Sequence, residues 1–248
     1  RWILNLAKGN LGVSLETQTP VSEIIFERLP VSLELMFLSQ FLALLIAVPL
    51  AISSALNADS AFDRLTSGIG LIFFSIPAFV IALVLILIFA IFFKLFPSTG
   101  FVPLSESLHG NIRSMFLPAL SIALTEWVAL MRILRDSLIN ILKQDFILNA
   151  RSNGLSFPRI LLGHALKPSL MGLITLVGIN MGHLIGGAIV VEIIFAIPGF
   201  GSLLFNSVLS QDYPLVLGCV MVTAAVFVLI NFIVDNIYRF IDPRTSRR

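Results

Sequence analysis

Two carboxylates sit inside long apolar runs of this 248-residue chain: Glu126 in FLPALSIALTEWVALMRIL and Glu192 in LIGGAIVVEIIFAIPGF. An ionisable group in such surroundings is expensive and needs a task. The chemistry open to it is narrow: a hydrogen bond or proton offered to a passing solute, or a bond that holds helices together. For Glu126 a pathway contact and a hydrogen-bonded or protonated packing role stand side by side. Glu192 is followed by Pro198, Gly199 and Gly201, residues that end a helix and let the chain turn back. A gate or helix-holding role for Glu192 therefore competes with plain interfacial exposure. Glu34 and Asp235 lie near the ends of apolar runs, where water is within reach.

Other reactive residue types are too sparse to form a centre. His183 has no second His, Cys or carboxylate four residues away, and His109 and His164 are isolated. A histidine satisfied by its neighbours is expected at 183, and no metal site is expected. The single cysteine, Cys219, lies in an apolar run and reads as a packed thiol. The chain has no Gly-x-x-x-x-Gly-Lys-Ser/Thr phosphate loop and no His-Glu-x-x-His zinc helix. It also lacks a Gly-x-Ser-x-Gly nucleophile elbow. No enzyme class is supported, and no cofactor is expected in this chain.

The elements that must position these residues follow from composition. Hydrophobic residues make up 57% of the chain and charged ones 12%, and the mean hydropathy is +1.00. Soluble domains have roughly 45–50% apolar and about 25% charged residues, so this is an all-α, polytopic membrane protein embedded in a lipid bilayer. The net charge of +2, without basic runs interleaved with aromatics, excludes nucleic acid as a partner. Five windows reach the roughly 20 residues that a spanning helix needs: 32–55, 66–96, 116–134, 169–195 and 214–238. Helices are expected because a lipid-exposed sheet strands its backbone polar groups. Pro49, Pro77 and Pro118 fall within these windows and read as bends. Gly178, Gly182 and Gly186 repeat every four residues, which lets another backbone approach one helix face.

Lys and Arg give the orientation. One side would carry five of the 16: Arg1, Lys8, Arg28, Lys94 and Arg113. The other would carry eleven: Arg64, Arg132, Arg135, Lys143, Arg151, Arg159, Lys167, Arg239, Arg244, Arg247 and Arg248. The second side is expected to be cytoplasmic. This divides the chain into an external segment 1–31, a transmembrane domain 32–238 and a cytoplasmic tail 239–248. Within the domain, 135–168 faces the cytoplasm and 196–213 the outside. With five spans residue 1 lies outside, so both ends inside would require a further preceding helix.

The cytoplasmic stretch NARSNGLSFPRILLGHALKP, residues 149–168, breaks the apolar pattern. Residues 136–148 read as a continuation of the third span. Asn153-Gly154 signals a turn or helix cap, Ser156 a new helix cap and Pro158 its first turn. Leu155, Phe157, Ile160, Leu161 and Leu162 would meet water unless covered. They pack against their own bundle or form a docking knob for a cytosolic partner.

These residues resemble the cytoplasmic EAA loop of ABC-importer permeases of the dipeptide, oligopeptide and nickel group. Leu148 stands at the glutamate position, Asn149 at the first alanine, Ala150 matches, and Pro168 lies one residue late. Further stretches are similar in order: GNLGVSLETQTPVSEIIFERLPVSLEL, MRILRDSL, VEIIFAIPGFGSLLFNSVLSQDYPLV and the ending IDPRTSRR. The resemblance covers nearly the whole chain and begins after the first membrane helix of such permeases. It implies a type I ABC importer transmembrane domain in a bacterial inner membrane, with the C-terminus cytoplasmic. It implies coupling to ATPases through Ala150, Arg151, Gly154, Leu155, Phe157 and Arg159. Glu126, Glu192, Pro198, Gly199 and Gly201 become pathway or gate candidates, and Gly178, Gly182 and Gly186 packing positions.

The implied partners are a second homologous permease, usually a paralogue, two cytosolic ATPases that hold ATP and Mg, and an external substrate-binding protein. Peptide is the leading substrate expectation, with nickel, glutathione and oligosaccharide as alternatives. A secondary transporter would need midplane ion-coupling groups and an internal repeat. Only Glu126 qualifies for the first, and no repeat is evident.

Overall fold

The computed structural model describes residues 11–241, with side chains as far as Ile237. Arg1, Lys8, Arg244, Arg247, Arg248 and the side chain of Arg239 lie outside the described residues. So does the ending expected to form a tail, beyond Ile241.

The described residues are helical throughout, apart from turns and one isolated bridge between Val13 and Pro20. The elements in order are α1 (Val21–Leu56), α2 (Ala61–Ser75), α3 (Ala78–Phe92) and α4 (Leu108–Leu142). Then come α5 (Asp145–Ser152), α6 (Phe157–Gly187), α7 (Ile189–Ile194), α8 (Phe200–Leu209) and α9 (Tyr213–Ile241). Among the described residues four helices are long and apolar enough to cross a membrane: α1, α4, α6 and most of α9. Counting the broken pair α2–α3 as one span gives five.

Several boundaries differ from the sequence expectation. The first helix starts at Val21, not Ser32, because Glu23, Glu27 and Arg28 lower hydropathy without disfavouring helix. The second window is two helices. Ile76 is extended (φ −95°, ψ 124°) ahead of Pro77, as the residue before a proline prefers, so the chain breaks where only a bend was expected. The third span does not run on to Leu148. It stops at Leu142, and an extended Gln144 precedes α5. The fourth starts at Phe157 and passes without interruption through a π-helical stretch, Leu161–Ala165. It ends at Gly187 rather than Phe195, where adjacent glycines weaken the helix.

The chain forms two compact units, each assembled from separate stretches. One comprises Arg1–Ser39, Ala78–Ile122 and Met181–Leu229. Its buried side chains include Leu35, Met115, Phe195 and Phe200. Its N-terminal stretch is fastened to the start of α9: Asp212 Oδ2 accepts from Ser14 Oγ at 2.5 Å and from Leu15 N at 3.1 Å. Asp212 Oδ1 also accepts from Leu215 N, which caps the helix. Burial pushes the Asp212 carboxyl up, but hydrogen bonds from Ser14, Leu15, Leu215 and Glu16 outweigh it and hold the group below the usual carboxylate range.

The other unit comprises Gln40–Pro77, Ala123–Asn180 and Ile230–Arg248. Ala43, Ala47, Ala51 and Ala55 of α1 recur every four residues and are all buried, so one face of that helix admits close neighbours. Around them pack Trp127, Leu130, Met131, Leu134 and Leu138 of α4. Gly70 of α2 leaves space for Val128, whose Cγ1 would lie 3.0 Å from an added Cβ. Large apolar side chains such as Phe41, Leu45 and Phe232 are exposed. Lipid accommodates such a surface where water would not.

Candidate functional site

Glu192 is fully buried on the short helix α7 and is saturated with hydrogen bonds. Oε1 accepts from Ser32 Oγ of α1 at 2.5 Å, and Oε2 accepts from Ser202 N of α8 at 2.6 Å. Ser32 Oγ in turn accepts from Phe200 N at 2.7 Å, so two of the free N–H groups at the start of α8 are satisfied by this pair. The glycines of the intervening IPGFG segment fit closely over the carboxylate. A Cβ on Gly199 would lie 2.3 Å from Glu192 Cδ, and one on Gly201 3.1 Å from Oε2. Pro198 faces a neighbouring cleft together with Arg28 and Glu34. The arrangement makes Glu192 a fastener of the segment that follows it. Its carboxylate has no exposed surface for a solute.

The second cluster is the bend between α5 and α6. Gly154 adopts φ +76°, a conformation that side chains with a Cβ rarely take. Its N–H donates to Arg151 O at 2.9 Å, and Leu155 N donates to Ala150 O at 3.3 Å. Ser156 occupies the cap position of α6 in extended conformation with Pro158 in the first turn, but its side chain makes no capping bond.

One face of this bend is anchored. Ile147, Ile160 and Leu161 are buried in the core with Leu134 and Leu138, and Ala150 and Leu155 pack against it. The opposite face is open: Phe146, Leu148, Phe157 and Leu162 are exposed, as are Arg151 and Arg159. Arg151 lies over the Phe157 ring, 5.9 Å from its centroid, within cation–π reach. Ile160 and Leu161 are thus covered by their own bundle, as the first sequence alternative expects, while Phe157 and Leu162 are not.

Glu126 lies on α4 beside Trp127. Its Oε2 and the Trp127 Nε1 are buried without a hydrogen-bond partner. The three glycines of α6 are not equivalent. A Cβ on Gly178 would come within 2.4 Å of Val234 Cγ2, and one on Gly182 within 2.4 Å of the Phe227 ring, whereas Gly186 has nothing within 4 Å. His183 is exposed and meets the Phe227 ring edge-on, with centroids 6.5 Å apart. Among the described residues no group of three His, Cys, Asp or Glu is placed to hold a metal.

Residues 47–247 match the family described as the binding-protein-dependent transport system inner membrane component. The chain belongs to this family of ABC-importer permeases. A putative peptide transport system permease protein of Brucella abortus is 36% identical over 244 residues, 98% of this chain and 78% of the relative. An oligopeptide transport system permease protein of Bacillus subtilis is 36% identical over 250 residues with the same coverage. A dipeptide transport system permease protein of Escherichia coli is 29% identical, covering all of this chain and 80% of the relative. In fold, the permease resembles a chain of the inward-facing MetNI methionine ABC transporter. The TM-score is 0.71 at 18% identity, covering 89% of this chain and 97% of the other.

One contact of the permease had no place in the sequence reading. Arg135 of α4 grips Asp63 of α2 with both arms, Nε to Oδ1 at 2.7 Å and a terminal nitrogen to Oδ2 at 2.5 Å. Asp63 also accepts from Asp59 N, and its own N–H meets Ser60 Oγ at 3.3 Å. Ser60-x-x-Asp63 ahead of an apolar run was the available signal, a capping-box pattern. The partnership with Arg135, 72 positions away, had none.

Proposed function

We propose that this permease forms half of the translocation pathway of an ATP-driven importer of short peptides, and that cytosolic ATPases move it through the bend between α5 and α6. The observation that carries the reading is the two-sided character of that bend. Ile147, Ile160 and Leu161 tie it to the core, while Phe146, Leu148, Phe157 and Leu162 stand exposed on a polar, cationic rim. A motor gripping the exposed side would pull on the bundle directly, because the glycine turn is short and closed by backbone hydrogen bonds. Energy enters as the preference of ATP and Mg, held by the ATPase pair, for the closed dimer, which biases the permease between its two facing states.

On this reading the bend faces the cytoplasm of a bacterial inner membrane, as does the C-terminus. The segment around α8 faces the outside, where a substrate-binding protein delivers peptide. A second permease, a copy or a paralogue, completes the pathway, and the open side of Gly186 leaves space for close approach. Peptide is favoured as substrate by the similarity to permeases named for peptide transport.

The test is co-purification in mild detergent followed by reconstitution. An ATPase, a second permease and a binding protein should accompany the chain, and ATP should drive uptake of di- to oligopeptides in preference to nickel, glutathione or oligosaccharides. Gly154→Val should leave ATP hydrolysis but uncouple it from uptake, or prevent ATPase association. Uptake driven by an ion gradient with this chain alone would overturn the proposal.

A further inference from the structure

Beside Pro198 lies a cleft of about 410 Å³ whose walls include Glu27, Arg28, Glu34, Phe101 and Leu104. That volume is within the range of small-molecule sites, roughly 300–1,000 Å³. Two carboxylates and one guanidinium share it with apolar walls. Arg28 is the unusual member. Its Nε is buried without a hydrogen-bond partner, and among the described residues it takes part in no ion pair. The side chain as a whole is half-buried, and a carboxylate is the group that the planar fork of its guanidinium fits best.

We infer that this cleft receives the terminal carboxylate of a short peptide on Arg28, with Glu27 and Glu34 placed for the peptide's ammonium group. The inference rests on the peptide reading given above. The excess of carboxylates disfavours multiply charged anions, which two glutamates repel, and suits a zwitterion. Phe101 and Leu104 offer apolar surface for the side chains between the two termini, so recognition would depend on the ends and tolerate variety between them.

The experiment compares uptake of one dipeptide with that of its C-terminal amide by the reconstituted transporter, using the same binding protein throughout. Any change in the acid-to-amide ratio then belongs to the permease. In the unaltered protein the acid should be preferred. Arg28→Gln should lower uptake of the acid about tenfold, the scale of one charge-assisted hydrogen bond, and leave the amide nearly unchanged. Arg28→Lys, which keeps the charge and loses the fork, should give an intermediate ratio and decides the matter if the glutamine variant fails to assemble.

An unchanged ratio in both variants overturns the inference while leaving peptide import intact. If the ratio holds but the complex binds its binding protein more weakly, Arg28 docks that protein and the inference fails. If no peptide is transported by any version, it is the peptide reading that falls.

Discussion

Ser32 and Glu192, 160 positions apart, share a buried 2.5 Å hydrogen bond that ties α1 to the segment leading into α8. Both oxygens of the carboxylate are occupied, and the serine hydroxyl is occupied as donor and acceptor. A buried group whose partner is removed suffers its full desolvation cost, about 1–3 kcal/mol. The IPGFG segment of this permease is thus held by polar bonds inside an apolar setting, where they are at their strongest.

The glycines over that carboxylate should respond unequally. Gly199→Ala drives a methyl group into Glu192, and overpacking of this kind costs about 1–3 kcal/mol. Gly201→Ala meets its neighbours at 3.0–3.1 Å and should be milder. Thermal unfolding of the purified permease in detergent checks the order. Equal loss in the two variants would contradict the packing described.

Asp63 and Arg135 should behave as a coupled pair. Arg135 remains partly exposed, so the effect belongs below the range of fully buried pairs, at about 1–3 kcal/mol for either single truncation. The double variant Asp63→Ala/Arg135→Ala should cost less than the sum of the two singles. A double-mutant cycle on denaturation midpoints measures this, and strict additivity would show that the bidentate contact contributes nothing.

Along α6, Gly178→Ala and Gly182→Ala should destabilise, since each added methyl strikes a neighbouring side chain. Gly186→Ala should be neutral or stabilise by up to about 1 kcal/mol through helix propensity. Stability of the single chain is the readout. Loss of uptake in Gly186→Ala without loss of stability is the result expected if the proposed second permease packs on that face.

Asp212 sets a pH dependence. Its folded carboxyl is held below the usual range, so its contribution is complete at neutral pH, where the group is ionised in both states. That contribution declines as pH falls below about 4 toward the lower folded value. Asp212→Asn should therefore be less stable than the parent at neutral pH, with the difference shrinking in acid. Acid titration of the unfolding midpoint checks it, and a gap that widens in acid would reverse the assignment.

What could be read from sequence was local. The apolar windows marked every spanning helix, because hydropathy over about 20 residues is a property of the window itself. Asn153-Gly154 announced its turn for the same reason. What escaped depended on partners far along the chain: Ser32 for Glu192, Arg135 for Asp63, Val234 for Gly178. The burial of Ile160 and exposure of Phe157 could not be separated either, since both are apolar and only the core behind α6 decides which is covered. The alanine row of α1 was legible in principle, its four-residue spacing being the same signal as the glycine row.

The hydroxyl of Ser32 has a consequence for how the IPGFG segment is anchored. A side-chain rotation that carries this oxygen away breaks both of its bonds, to Glu192 and to the Phe200 amide. Lifting the start of α8 breaks only the bonds of the Phe200 and Ser202 amides and leaves Ser32 bonded to Glu192. The Ser32–Glu192 pair is therefore a socket that can stay assembled while the start of α8 unplugs from it.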